Sequence, residues 1–347
     1  MTKYIWIDID NAPHVLFFRP FLKEFKKRKE NVLLTIRYHE KLIQLLSIYG
    51  INEYSAIGCH PGRNKIKKAL NLFIRAYLLN KLVNLPIKVA VAHASRGIVL
   101  PAYLHKIPLI ILYDYEYIFD WLFRKFATII GMPEVISKEY LKNLKKEGVK
   151  YFLYPGIKEG VYLFDFQPQN FRLPDIDYSK CVILIRPPAT TAHYHNPESE
   201  KIFAEIIDYY KNSREVEILI IPRSEREINI LLQKYFNVKN LHVLKTAVDG
   251  PTLICNANAV ISGGGTMVRE ACVLGIPAYS FFKGKKGGVD KYLEKVGLLK
   301  FINSAEDLKK IKFKSNKEEA KKLRENGKMG FKKIMEVIEE VSKTRYD

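Results

Sequence analysis

Short apolar runs alternate with longer stretches in which apolar residues recur every three or four positions, from one end of the chain to the other. Tyr4–Ile9, Val32–Ile36, Lys88–Ala92, Pro108–Leu112, Thr128–Met132 and Tyr151–Tyr154 are rich in β-branched or aromatic residues and read as strands. Helical spacing fills Val15–Lys29, Glu40–Tyr49, Asn64–Leu85 and Gly97–Leu104. A Pro-containing stretch over 166–177 has no periodicity and reads as a linker. The alternation then restarts, with strands expected at Val182–Arg186, Glu217–Ile221, His242–Leu244, Ala259–Ser262 and Ala278–Phe282. Helices fit at Pro197–Tyr210, Glu225–Tyr235, Pro251–Asn256, Thr266–Leu274 and Val289–Val296, and a charged helix over Asn316–Val341 closes the chain. Continuous apolar strands separated by helices predict parallel sheets covered on both faces. The fold class is therefore α/β, with two doubly wound Rossmann-like domains over 1–165 and 178–315 and a C-terminal helical segment, 316–347, crossing back to the first domain. Ligands of such sheets sit beyond the carboxyl ends of the strands, so the two domains are expected to face one another across a cleft.

Length and composition agree with that division, because 347 residues at 48% apolar exceed one ordinary core. The four cysteines form no CxxC pair, which argues against a disulfide scaffold or structural zinc and for a reducing cytoplasm. The start, MTKYIWIDID, is not an oily leader, and no apolar run reaches the length of a membrane span. Charge adds something new: 57 Lys and Arg against 37 Asp and Glu leave +20. There is no carboxylate between Glu53 and Asp114, while residues 63–85 mix Arg63, Lys67, Lys68, Arg75 and Lys81 with apolar residues at helical spacing. Such a basic amphipathic helix can make peripheral contact with an anionic membrane or grip a phosphate-bearing partner; it can equally be a packed helix with lysine on its outer side.

The most informative segment runs from Ser262 to Phe282, SGGGTMVREACVLGIPAYSFF. A strand ends at Ser262, Gly263, Gly264 and Gly265 make the turn, and a helix starts near Thr266. Glycines let backbone amides approach an anion, and a helix start adds unpaired N–H groups with about half a positive charge. Glu270, one turn in, is placed to accept hydrogen bonds from a ribose diol. Neither a P-loop nor a GxGxxG turn after the first strand is present, which sets aside P-loop and classical dinucleotide folds. Arg186 and Arg223 fall at strand carboxyl ends, where a guanidinium can hold two phosphate oxygens at once. His193 and His195 lack a third ligand nearby and make a weak metal pair.

SGGGTMVREACVLGIP resembles the nucleotide-sugar motif of the GT-B superfamily, as in the bacterial lipid-linked N-acetylglucosaminyl transferase of peptidoglycan synthesis and the non-hydrolysing UDP-N-acetylglucosamine 2-epimerases. WIDIDNAPHVLFFRP, RPPATTAHYH and IIPR resemble, over essentially the full chain, a mostly archaeal family known as DUF354. The resemblance implies a GT-B fold whose nucleotide-sugar is a donor substrate rather than a cofactor. In the resembled transferases the first strand ends in a glycine loop and a histidine. Here that turn is Asp10-Asn11-Ala12-Pro13-His14, with the histidine matched and the glycines missing. His14 is then a candidate base for an acceptor hydroxyl, and Asp114 or Glu116, beyond a later strand, could serve as well. His93 and Ser95 end the strand between them. Asp8 and Asp10 share a strand face in the manner of a DxD motif, but GT-B transferases neutralise the leaving diphosphate with helix ends and cations, so no metal is expected. The loop bearing Lys283 and Lys285 could close over a diphosphate, although the sugar-reading glutamines of the resembled transferase are absent.

Three functions follow as expectations. The first is a metal-independent glycosyltransferase using a nucleotide-diphosphate sugar and an anionic or lipid-linked acceptor. The second is an epimerase of the same donor, with Asp8, Asp10, Asp114 and Glu116 around the sugar. The third is a non-catalytic binder of anionic polymers or membrane surfaces. No signature of a specific nucleic-acid module supports that last reading.

Overall fold

Each strand of the chain finds its neighbours through a helix that packs back on the sheet, and the result in a computed structural model is two separate parallel sheets. The structure describes residues 2–59, 65–188, 196–314 and 316–343. The first unit holds β1 (Tyr4–Ile9), α1 (Pro13–Lys27), β2 (Asn31–Tyr38), α2 (Glu40–Ile48), β3 (Ser55–Cys59), α3 (Lys65–Leu82) and β4 (Ile87–His93). It continues through α4 (Val99–Leu104), β5 (Leu109–Leu112), α5 (Trp121–Phe126), β6 (Ile129–Pro133), α6 (Lys138–Lys146), β7 (Tyr151–Tyr154) and α7 (Lys158–Leu163). Its strand order is β3-β2-β1-β4-β5-β6-β7, all parallel, so the order reverses between β1 and β4. The carboxyl ends of those two strands are where such a sheet presents ligands.

The second unit carries β8 (Cys181–Arg186), α8 (Pro197–Tyr210), β9 (Val216–Ile220), α9 (Glu225–Lys234), β10 (Leu241–Val243), α10 (Gly250–Cys255) and β11 (Ala259–Ser262). After these come α11 (Gly265–Leu274), β12 (Ala278–Ser280), α12 (Gly288–Lys295), whose first two residues, Gly288 and Val289, belong with the first unit, β13 (Leu299–Phe301) and a 3-10 turn at Ala305–Lys310. Its order is β10-β9-β8-β11-β12-β13, with the reversal between β8 and β11. No helix or strand lies between Leu163 and Cys181; this stretch lies against α10, where Gln169 N–H donates to Thr252 Oγ1 at 3.1 Å and Asn256 donates to the Phe171 carbonyl. A last helix, α13 (Lys317–Lys343), joins the first unit from Asn326 onward, and Phe331 packs on Phe21 of α1.

The expected elements are present with ends shifted by a few residues. β3, α5, α6, α7 and β13 were not expected, being short and, for α6, dominated by lysine. No helix among the described residues is long and apolar enough to cross a membrane. One expectation is corrected. The helix anticipated over Asn64–Leu85 spans Lys65–Leu82, and Arg75, counted toward a basic outer side, is fully buried. Arg63 lies outside the described residues.

Candidate functional site

In the second unit the reversal of strand order brings Arg186 level with Ser262, since the two are register partners at the ends of β8 and β11. The turn that follows is tighter than an open cradle. Gly263 N–H donates to the Arg186 carbonyl (3.1 Å) and Gly264 N–H to Ser262 Oγ (3.0 Å), so the expectation that these two amides face a phosphate is corrected. Gly263 is needed for packing instead. A Cβ on Gly263 would fall 2.7 Å from the Phe281 ring and 2.8 Å from Pro188. What remains for an anion is the first turn of α11, from Gly265 and Thr266 onward, where both residues are half-buried and no side chain caps the helix.

Two guanidiniums stand at this helix start. Arg223 lies so close that a Cβ on Gly264 would meet its Nη2 at 2.7 Å, and its Nε donates to the Pro187 carbonyl (3.0 Å). Arg186 is half-buried, and burial first, then the neighbouring Arg223, pushes its guanidinium down to about 10, with Glu270 and Glu227 pulling the other way. It therefore keeps its charge at neutral pH. Glu270 is buried rather than solvated and belongs to the same charge cluster. Arg269, which sequence reading passed over, pairs with Asp290 (2.8 Å) in the interior and fixes the helix start from below. In the loop after β12, Lys283 reaches Glu198 and Asn303, Lys285 is exposed, and Lys286 pairs with Glu294. His193 and His195 lie outside the described residues.

In the first unit the ends of β1, β4 and β5 bring together a compact polar group. His14, in the first turn of α1, and His93, last in β4, lie with ring centroids 4.5 Å apart. Both are buried, and among the described residues Nδ1 of each ring makes no hydrogen bond. Asp114 sits beside them, 3.7 Å from His93 Nε2 and 3.0 Å from Lys158 Nζ. Lys158 is also 3.4 Å from Glu159, and both are buried at the start of α7. Burial, then the Lys158 ammonium, holds His93 at about 3 despite Asp114. His14 is pushed well below its ordinary range by burial, His93 and Lys158. Both imidazoles are thus neutral. Lys158 and Glu159 were missed because PGIKEG reads as a turn; a lysine followed by a carboxylate just past a strand end was the available signal. Glu116 Oε1 accepts from Gly288 N–H at 2.8 Å, within the same unit, so this carboxylate already holds the backbone.

Asp8 and Asp10 are claimed by arginines. Arg75 forms a two-pronged pair with Asp8 (2.7 and 2.9 Å), and Thr35 and Ser95 each donate to the same carboxylate at 2.6 Å. Burial alone would raise Asp8, but Arg75 and these hydroxyls outweigh it and hold the carboxyl below its usual range. Ser95, expected beside a ligand, is therefore corrected to a buried support of Asp8. Asp10 pairs with Arg37 (2.7 Å), yet burial leaves its carboxyl raised. Asn11 is exposed beyond them.

Residues 3–343 match the model of a family described as a protein of unknown function, DUF354. An uncharacterised protein of Methanocaldococcus jannaschii is 30% identical over 302 residues, covering 83% of this chain and 84% of the relative. Among solved structures, the UDP-GlcNAc 2-epimerase of Neisseria meningitidis, bound to UDP-GlcNAc, superposes with a TM-score of 0.73 at 17% identity, covering 97% of this chain and 100% of that one. The glycotransferase of kitacinnamycin gives 0.62 at 12%, covering 98% and 100%. These likenesses establish the fold as GT-B-like.

Proposed function

Because the chain belongs to the DUF354 family, to which the description protein of unknown function attaches, we propose its reaction from its own residues: a GT-B glycosyltransferase using a nucleotide-diphosphate sugar, without a metal. The observation that carries this reading is the pair of guanidiniums, Arg186 and Arg223, at the uncapped start of α11. Two fixed cations and a helix end match a diphosphate, whose charge grows as it leaves. Glu270 is the residue for the ribose. In the transfer step the bond from the sugar carbon to the diphosphate oxygen breaks and the electron pair leaves with the diphosphate. The acceptor oxygen bonds to that carbon, and its proton passes to a base.

For the base we propose His14, with His93 and Asp114 behind it. A neutral imidazole is ready to accept a proton, but a strongly lowered pKa makes it a weak base. An anionic acceptor bound beside it would raise it. An anionic acceptor, such as a lipid-linked phosphate, suits the basic chain. One observation favours a second reading, a 2-epimerase: His14, His93, Asp114, Lys158 and Glu159 form a dense buried set of proton-transfer groups, more than a simple transfer needs. Incubating the protein with UDP-GlcNAc alone separates the two. An epimerase converts the sugar at C2 without acceptor, seen by NMR, whereas the transferase releases UDP only when an acceptor is supplied. If neither UDP release nor epimer appears with any nucleotide-sugar and acceptor tried, both readings go.

A further inference from the structure

Helix α3 has the wrong outer side for a helix that meets only water. Its inner side is Arg75, Ala76 and Leu79, with Val83 just beyond, all buried at helical spacing. On the opposite side Phe73, Ile74, Tyr77, Leu78 and Leu82 are all exposed, Phe73 by 66%. Next to it α4 exposes Leu100, Tyr103 and Leu104, and at the start of α5 Phe119 and Trp121 are 67% and 47% exposed. α3 packs on α4 and α4 on α5, and Leu79, Val99, Ala102 and Phe123 reach one shared core. The exposed sides of the three helices therefore make one surface of the first unit. A helix apolar all round is ordinarily covered, and continuous apolar ground on the outside marks a place of contact.

Charge identifies what covers it. α3, α4 and α5 contain not one Asp or Glu. Lys81, Lys106 and Lys125 are exposed around the apolar ground, and Lys81 Nζ lies 4.7 Å from the centre of the Tyr77 ring. The next carboxylates along the chain, Asp114, Glu116 and Asp120, are all buried. A second copy of this chain joined by a twofold axis would set these cations against their own kind. A nucleic acid has no use for rows of leucine and phenylalanine. An anionic bilayer meets both needs: acyl chains take the aliphatic side chains, the headgroup region takes Tyr and Trp, and lipid phosphates take the lysines.

We propose that the α3–α4–α5 surface docks on a membrane containing anionic lipid. This extends the basic helix read from residues 63–85 to a three-helix face, and it stands whether or not the nucleotide-sugar reading holds. The test is vesicle flotation, with phosphatidylcholine alone or mixed with phosphatidylglycerol. The protein should float with the mixed vesicles, less with the neutral ones, and less again as salt rises. Phe73→Ser, Tyr103→Ser and Leu104→Ser alter exposed side chains, so the melting temperature should stay unchanged. Each should weaken partitioning about tenfold. Lys81→Glu with Lys125→Glu should weaken binding to the mixed vesicles only. The proposal is overturned if the native chain floats with neither vesicle, or if both sets of variants float as well as it does. It is equally overturned if light scattering shows a dimer that the serine variants dissociate while vesicles stay unbound.

Discussion

His93 cannot carry a proton at neutral pH where it sits, and the reason is local: a closed pocket and an ammonium, Lys158, on the far side of Asp114. Its folded pKa of about 3 lies below the ordinary 6.5. Over that interval the unfolded chain binds the proton and the folded chain does not, so stability is full above about 6.5 and falls as pH drops toward 3. Each such histidine contributes a slope of about 1.4 kcal/mol per pH unit. Urea titrations at successive pH values should show this acid loss, and His93→Gln should flatten it by one proton's worth. An unchanged slope would place His93 in contact with water. Lys158→Met should raise both imidazole pKa values, read from NMR titration of the ring protons; a lowered or unmoved pair would contradict the role given to Lys158. His14, His93 and Asp114 were legible in the sequence because each closes or follows a strand. Lys158 was not, since nothing local shows that a lysine after a Pro-Gly turn will be buried.

Helices α3 and α11 show where reading element by element succeeds and where it stops. The helical spacing of α3 is plain, but Arg75 was counted toward the wrong side. Arg75 serves Asp8, 67 residues earlier in the chain, and no helical wheel displays a partner so distant. Removing one member of a buried pair strands the other, so Arg75→Met should cost about 3–5 kcal/mol in urea unfolding. Asp8→Leu together with Arg75→Met should lose less than either alone, because no bare charge remains. If the losses simply add, the pair is not coupled. Gly97→Ala should destabilise by the same route, its Cβ overlapping Arg75 Nη1. In α11 the triple glycine rightly signalled a turn into a helix at the switch of strand order. It misled about the amides, because whether an N–H is already bonded depends on Arg186 and Ser262, which only the folded turn brings to it.

Over the full chain, the two-sheet architecture was the most legible feature, since a repeat of strand and helix constrains topology strongly. The net charge of +20 was legible as a number but not as a map. Of its arginines, Arg75 is neutralised by Asp8 in the interior and two stand at α11, while α3, α4 and α5 contain no Asp or Glu of their own. In the proposed reaction the second unit holds a nucleotide diphosphate on Arg186, Arg223 and the start of α11. Thermal shift against UDP, GDP and dTDP sugars, with CMP sugars as the monophosphate control, is the decisive measurement, because a ligand that binds only the folded state raises the melting temperature with concentration. A rise is expected with one class of nucleotide-diphosphate sugar, lost in Arg223→Ala and in Gly264→Ala, whose Cβ displaces that guanidinium. A rise that survives both substitutions, or no rise with any of these donors, would contradict it.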